Sequence, residues 1–126
     1  VDRLTSKLLF FLVVTGTLAN LGDRGWIDEL VLQVYRNDID RFASELSRSS
    51  VQAARSRIRV AIALLSGTVR NPVDISQLRE QIDVVRDRNF DGISFFYWES
   101  LMGYLAPESP YRRAEFLQEV FADRAR

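Results

Sequence analysis

Glu99 is the residue best placed to do chemistry in this chain, because it closes a short apolar run, Ile93–Trp98 (ISFFYW). A run this short, rich in β-branched and aromatic residues, reads as a buried strand rather than a helix. The turn signal Asn89-Phe90-Asp91-Gly92 precedes it, so Glu99 falls at the carboxyl end. In parallel sheets covered by helices, binding and catalytic groups collect at that end. A carboxylate there can serve as general acid, general base or hydrogen-bond acceptor; equally, it can be a solvated loop group or the partner of an arginine. Gln33, Tyr35 and Arg36 lie near the carboxyl end of a second apolar run and can bind ligand hydroxyls. Gln33 and Tyr35 share one side of that strand, which makes them the better pair. Trp98, Tyr97 and Tyr104 offer aromatic faces. Tyr97 and Trp98, as strand neighbours, point to opposite sides, so at most one joins the site. Aromatics at a strand end also serve packing, and both readings stay open here.

Composition removes many other chemistries. The chain has 126 residues, no cysteine and no histidine. Disulfides, thiolate metal sites, thiol nucleophiles and Ser-His catalysis are thereby excluded, and no metal site or cofactor is expected. Seventeen basic and seventeen acidic residues cancel, so no global field points to nucleic acid. Arg55, Arg57, Arg59, Arg70, Arg79, Arg86 and Arg88 are interleaved with acids and read as solvated faces. Ser66-Gly67-Thr68 is too short for a phosphate-cradling loop. Asp28, Glu29 and Asp91 stand at the amino ends of their strands, the end associated with stability, and are not counted as catalytic.

The elements that must position these residues follow from periodicity. Leu8–Val14 (LLFFLVV) is a first strand candidate, Glu29–Arg36 a second, Ile58–Leu65 a third and Ile93–Trp98 a fourth. Between them, Asn37 and Asp38 are good N-caps for a helix carrying Ile39, Phe42, Ala43 and Leu46. Ser47–Ser50 interrupts, and Val51–Arg57 makes a second helical piece. Asp74 with Gln77 approximates a capping box, and Ile75, Leu78, Ile82 and Val85 form one apolar stripe. Met102 to the prolines reads as loop. Ser109-Pro110 then caps a last helix with Ala114, Leu117, Val120 and Phe121 on its apolar face. The alternation predicts an α/β fold of four parallel βα units in a single domain over 1–126, each strand buried on both faces. A closed (βα)8 barrel needs eight strands and roughly 250 residues, so four units correspond to half a barrel or a small open sheet. Residues 1–22 carry a second reading. Arg3 and Lys7, the apolar run and Thr17-Leu18-Ala19 have the order of a secretory signal. The run is far shorter than the ~20 apolar residues of a membrane span. Localisation is therefore open between cytoplasmic and exported, with the signal-like start at 3–19.

The blocks GWIDELVLQVYR (Gly25 to Arg36), RVAIALLSG (Arg59 to Gly67) and QIDVVRDRNFDGISFFYWESL (Gln81 to Leu101) resemble the carboxyl-terminal part of the family-10-like glycosyl hydrolases. These are bacterial glycosidases, well represented in cyanobacteria, on a (βα)8 TIM barrel, and are distinct from true family-10 xylanases. The likeness implies that Glu29–Tyr35, Ile58–Leu65 and Ile93–Trp98 are the last three barrel strands. It also implies hydrolysis of O-glycosidic bonds in a carbohydrate substrate, with Glu99 as catalytic carboxylate and Gln33, Tyr35, Arg36 and Trp98 on the sugar. Glycoside hydrolysis uses two carboxylates. The strand bearing the family's DGI-type acidic motif has no counterpart here, and the strand Ile58–Leu65 ends in Ser66 and Thr68 rather than a nucleophile. Residues Phe11 to Gly22 also depart from the family pattern. The expectation is an incomplete or inactive piece of the enzyme. The alternative is a non-catalytic carbohydrate-binding or self-associating α/β module, forming a homodimer through open sheet edges.

Overall fold

The computed structural model describes residues 24–122. Three strands form its main sheet: β1 (Glu29–Gln33), β2 (Arg59–Leu65) and, after a short hairpin of β3 (Gly67–Thr68) and β4 (Asn71–Pro72), β5 (Gly92–Phe96). The sheet order is β1-β2-β5 and both pairings are parallel. Each sheet strand therefore lies beside the one before it, with no reversal of direction along the sheet. The helices are α1 (Ile39–Leu46), α2 (Ser49–Arg55), α3 (Ile75–Asp87), α4 (Trp98–Leu101) and α5 (Pro110–Phe121). The mixed α/β class is as expected, with three parallel strands rather than four among the described residues. The candidate strand Leu8–Val14 and the signal-like segment lie outside them.

Register decides which side chains share a face. Leu30, Val60 and their neighbours Leu32, Ile62 and Ile93 line up across the strands, as do Leu64 and Phe95. These residues form one core with Phe42, Leu46, Val51 and Ala54 of α1 and α2, Leu78, Ile82 and Val85 of α3, and Phe116 and Val120 of α5. Fully burying each such aliphatic or aromatic side chain contributes about 1.5–3 kcal/mol, so this layer dominates stability. The opposite face carries three rows without charge: Val31–Ala61–Gly92, Gln33–Ala63–Ser94 and Leu65–Phe96, with Tyr35 joining the last. Val31, Gln33, Ser94 and Phe96 on that face are exposed. The expectation that every strand is buried on both faces thus holds only for central β2; β1 alternates between buried and exposed. The described helices pack on one face; the other is exposed at the edge strands, while Ala61 and Ala63 of central β2 are buried there too.

Capping follows the sequence. Asp38 accepts from the Arg41 amide at 2.8 Å and Asp74 from the Gln77 amide at 2.8 Å, each satisfying a first-turn donor that no carbonyl reaches. Ser109 accepts from the Arg112 amide at 3.2 Å, with Pro110 at the first helical position. The α3 stripe is buried as expected, joined by Gln81, whose amide donates to the Arg36 carbonyl at 2.6 Å.

Several boundaries differ: β1 ends at Gln33 rather than Arg36, and α2 begins at Ser49, inside the expected interruption, and ends at Arg55. β5 ends at Phe96, and Trp98 and Glu99 lie in α4, not in a strand. The stretch after Tyr97 turns helical because its backbone is captured by hydroxyls: Tyr97 N–H donates to Ser100 Oγ at 3.4 Å, and Ser66 and Ser100 both reach the Tyr97 carbonyl at 3.0 Å. The Phe96–Tyr97 peptide bond is cis. In α5 the buried face is Arg113, Phe116 and Val120, while Leu117 and Ala114 are half-buried and Phe121 is exposed. The helix is rotated from the expected stripe because Arg113 is drawn inward by backbone carbonyls.

Candidate functional site

The carboxyl ends of β1, β2 and β5 bring together the residues that sequence singles out, though not all of them on one side. Gln33 is exposed on the uncovered face, and Tyr35 continues that side past the strand end. The Tyr35 ring stacks on Phe96 with centroids 6.0 Å apart and planes 27° apart. Partial burial raises the Tyr35 phenol above its ordinary pKa, so the hydroxyl is neutral at physiological pH and can both donate and accept. Phe96 is 49% exposed. It is a site residue that sequence reasoning passed over in favour of Tyr97 and Trp98. Its signal was available in parity, since Gly92, Ser94 and Phe96 alternate onto one face once the strand start is fixed.

Arg36 is turned the other way. Its guanidinium lies 3.4 Å from Glu45 of α1 and also donates to the Tyr35 carbonyl, and its carbonyl is held by Gln81. Its residue parity matches buried Val34, on the helix side, so it does not join Gln33 and Tyr35. Trp98 is 69% exposed on α4, directly after the strand end. Glu99 is its exposed neighbour in the first turn of α4. None of the hydrogen bonds or ion pairs among the described residues involves the Glu99 carboxylate.

Other carboxylates at this end are occupied by structure. Asp38 and Asp74 cap helices. Glu108 accepts from the Ile75 amide at 2.5 Å and from Arg113 at 3.1 Å. Among the described residues no group of three acids could hold a metal ion. Asp40, exposed in the first turn of α1, is the remaining described carboxylate at this end without a side-chain partner, and no hydrogen bond joins it to Glu99.

What positions α4 is a buried polar knot. Arg113 is fully buried and spends its guanidinium on the carbonyls of Leu101 (2.9 Å), Val73 (2.9 Å), Ser66 (3.2 Å) and Ser100 (2.9 Å) as well as on Glu108. Those acceptors are Ser66 just after β2, Val73 just after the β3–β4 hairpin, and Ser100 and Leu101 of α4 after β5, so one side chain ties both strand ends to α5. The Ser66 and Ser100 hydroxyls lie 2.7 Å apart. Two hydroxyl protons serve three contacts among Ser66, Ser100 and the Tyr97 carbonyl, so two bonds form at a time. Sequence had a signal for Arg113 as well: it falls three residues before Phe116 on the apolar stripe of α5. On the far side of the loop, Asn37 and Asn71 exchange side-chain hydrogen bonds of 2.7 and 2.9 Å, which joins the β1–α1 loop to the β3–β4 hairpin.

At the opposite end Asp91 has a structural role. Asp91 accepts from the Val60 amide at 2.7 Å and returns a bond from its own N–H to the Val60 carbonyl at 2.9 Å. A shallow polar cleft of about 500 Å³ opens there among Gly25, Ile27, Arg55, Arg59 and Asp91. An apolar cleft of about 580 Å³ runs beside β5, between Ile93, Phe95, Leu117 and Phe121. No described helix is long and apolar enough to cross a membrane. Models of known protein families match no part of the chain, and neither a curated protein nor a solved structure matches it.

Proposed function

We propose that this chain is a sector of a (βα)8 glycoside hydrolase barrel of the family-10-like kind, built for hydrolysis of O-glycosidic bonds at the carboxyl end of its sheet. The observation that carries the reading is the sheet order: three parallel strands, each beside its predecessor, with the described helices on one face and the edge-strand residues Val31, Gln33, Ser94 and Phe96 exposed on the other. A barrel sector has this order, and so does one half of a doubly wound sheet, which reverses only at its switch point; the sequence likeness favours the barrel. The uncovered face then corresponds to the barrel interior and Glu99 to a carboxylate at its catalytic mouth. Glu99 acts as acid or base, and Gln33, Tyr35 and Trp98 contact the sugar. The second carboxylate that hydrolysis needs comes from outside the described residues.

The test is turnover of aryl glycosides and polysaccharides by the purified 126-residue chain. The expected result is hydrolysis at background level, because one carboxylate of the pair is missing. Robust turnover abolished by Glu99→Gln would show that the chain suffices alone; robust turnover that survives Glu99→Gln would remove Glu99 from the mechanism.

A second reading, a non-catalytic carbohydrate-binding or self-associating module, is favoured by the edges. Among the described residues β1 and β5 each pair on one side only, and GISFF of β5 has none of the lysines or prolines that guard exposed edges. Light scattering after size exclusion tests it: a homodimer is expected, and a stable monomer at high concentration contradicts it.

A further inference from the structure

We infer that the Tyr35–Phe96 pair is a stacking platform for an uncharged pyranose, so that the site takes neutral oligosaccharides and discriminates against uronates and other anionic sugars. The inference rests on the carbohydrate reading above and adds a substrate class and a specificity residue, Phe96, to it.

Stacking needs an apolar surface that solvent reaches and that holds its orientation. Phe96 is half exposed, yet its ring is fixed from two sides, by Tyr35 at 6.0 Å and by Tyr97 at 5.2 Å. Its backbone is fixed as well: the Phe96 carbonyl accepts from the Ser66 amide at 2.8 Å, and the strand is registered on β2 through Leu65. A pyranose offers one face of C–H bonds and a rim of hydroxyls. The first suits an aromatic face and the second suits neutral donors and acceptors. Beside the platform on the same face stand the Gln33 amide, which donates and accepts, and the Tyr35 hydroxyl, which burial keeps neutral.

Charge decides between sugar classes. The three rows of the uncovered face from Val31 to Phe96 contain no ionisable cation. Arg59 shares that face but stands in the amino-terminal row, paired in register with Glu29. Arg36, the cation nearest in sequence, is turned to Glu45. Arg113 is buried and spent on carbonyls. A carboxylated sugar would meet no counter-ion on the face and would approach the exposed Glu99 carboxylate, a like charge. Arg70, exposed at the tip of the β3–β4 hairpin, and Arg41, exposed in the first turn of α1, lie off the sheet and are the described cations of this end that would have to move to meet an anionic sugar.

The experiment is equilibrium binding to the full 126-residue chain by calorimetry or ligand-observed NMR. Cellohexaose, mannohexaose and laminarihexaose serve as neutral probes, and hexagalacturonate as the anionic one. At least one neutral probe is expected to bind roughly ten-fold or more tighter than hexagalacturonate. Phe96→Leu, which keeps an apolar side chain but removes the ring face, is expected to weaken that binding by about ten-fold, in line with the worth of an aromatic stack. Tyr35→Phe keeps the ring and should cost less. An unchanged thermal melt checks that each variant is folded. Three results overturn the inference: no neutral probe binds, hexagalacturonate binds as tightly, or Phe96→Leu leaves affinity unaltered. Failure of the hydrolase reading is separable, since robust turnover that survives Glu99→Gln removes only that reading, and neutral-sugar binding insensitive to Phe96→Leu removes only the platform.

Discussion

Replacing Arg113 by methionine, which retains the apolar stem and length, tests whether one buried cation organises the strand ends. The guanidinium makes five hydrogen bonds, four to carbonyls and one to Glu108. Bonds to a charged donor contribute about 1.5–3 kcal/mol each, a gross sum of ~7–15 kcal/mol that desolvation of the buried cation offsets by several. Removing one partner of a buried charged pair costs about 3–5 kcal/mol net. The lower half of that range applies here, because the Glu108 side chain is 21% exposed and regains water. A loss of ~3–4 kcal/mol is large against the 5–15 kcal/mol total of a domain. At about 4 °C per kcal/mol it corresponds to a fall in Tm of roughly 12–16 °C. Arg113→Lys, with three donors on a compact ammonium that cannot span four carbonyls, should recover only part. Thermal and urea unfolding followed by circular dichroism measure both. In a Trp26→Phe background Trp98 is the sole tryptophan, and its emission should shift in Arg113→Met as α4 loses its anchor. A variant that melts within about 2 °C of the parent with unchanged Trp98 emission would refute the reasoning.

Other perturbations read out separate parts of the structure. Asp91→Ala leaves the buried Val60 amide without its side-chain acceptor and should destabilise by about 1–3 kcal/mol in urea melts. Gly103 has φ +120° and a Cβ there would sit 3.0–3.2 Å from Pro110, so Gly103→Ala should cost more than about 1 kcal/mol, against the small gain usual at unstrained sites. Glu119 bonds Arg79 at 2.9 Å and Arg112 at 3.1 Å, and these bonds hold its carboxyl below the usual range while raising Arg112. A lowered folded-state pKa means stability present above the unfolded carboxyl value and lost as pH falls through the folded one. The stability gap between parent and Glu119→Gln should therefore be small at pH 7, vanish near pH 2 and shrink in 1 M salt, because the group is exposed.

Much of the fold was legible because local signals agreed with burial. Asp38, Asp74 and Ser109 cap the helices they were expected to cap, and the α3 stripe faces the core. β2 and β5 fall within one or two residues of their expected spans, and β1 stops at Gln33, three residues before the expected Arg36. Misreadings arose where long-range polar contacts overrode local pattern. Tyr97 and Trp98 continue an apolar run, yet Ser66, 34 residues before Ser100, pairs with it and helps close the turn that starts α4. Arg113 was not singled out, because its spacing from Phe116 is the one local hint and nothing in it announces carbonyls converging from Ser66, Val73 and α4. The orientation of Arg36 depended on Glu45 and Gln81, neither adjacent in sequence. At the site, Gln33 and Tyr35 were legible from strand parity alone. Phe96 was obscured by the more conspicuous Trp98.

Amide chemical-shift mapping on the isotope-labelled 126-residue chain, titrated with neutral hexasaccharides, tests the central claim most directly. The account predicts shifts clustered at Gln33–Arg36, Leu65–Ser66 and Phe96–Glu99, the carboxyl end of the sheet. Shifts confined to the amino-terminal cleft around Arg55, Arg59 and Asp91, or no shifts with any neutral sugar, would contradict it.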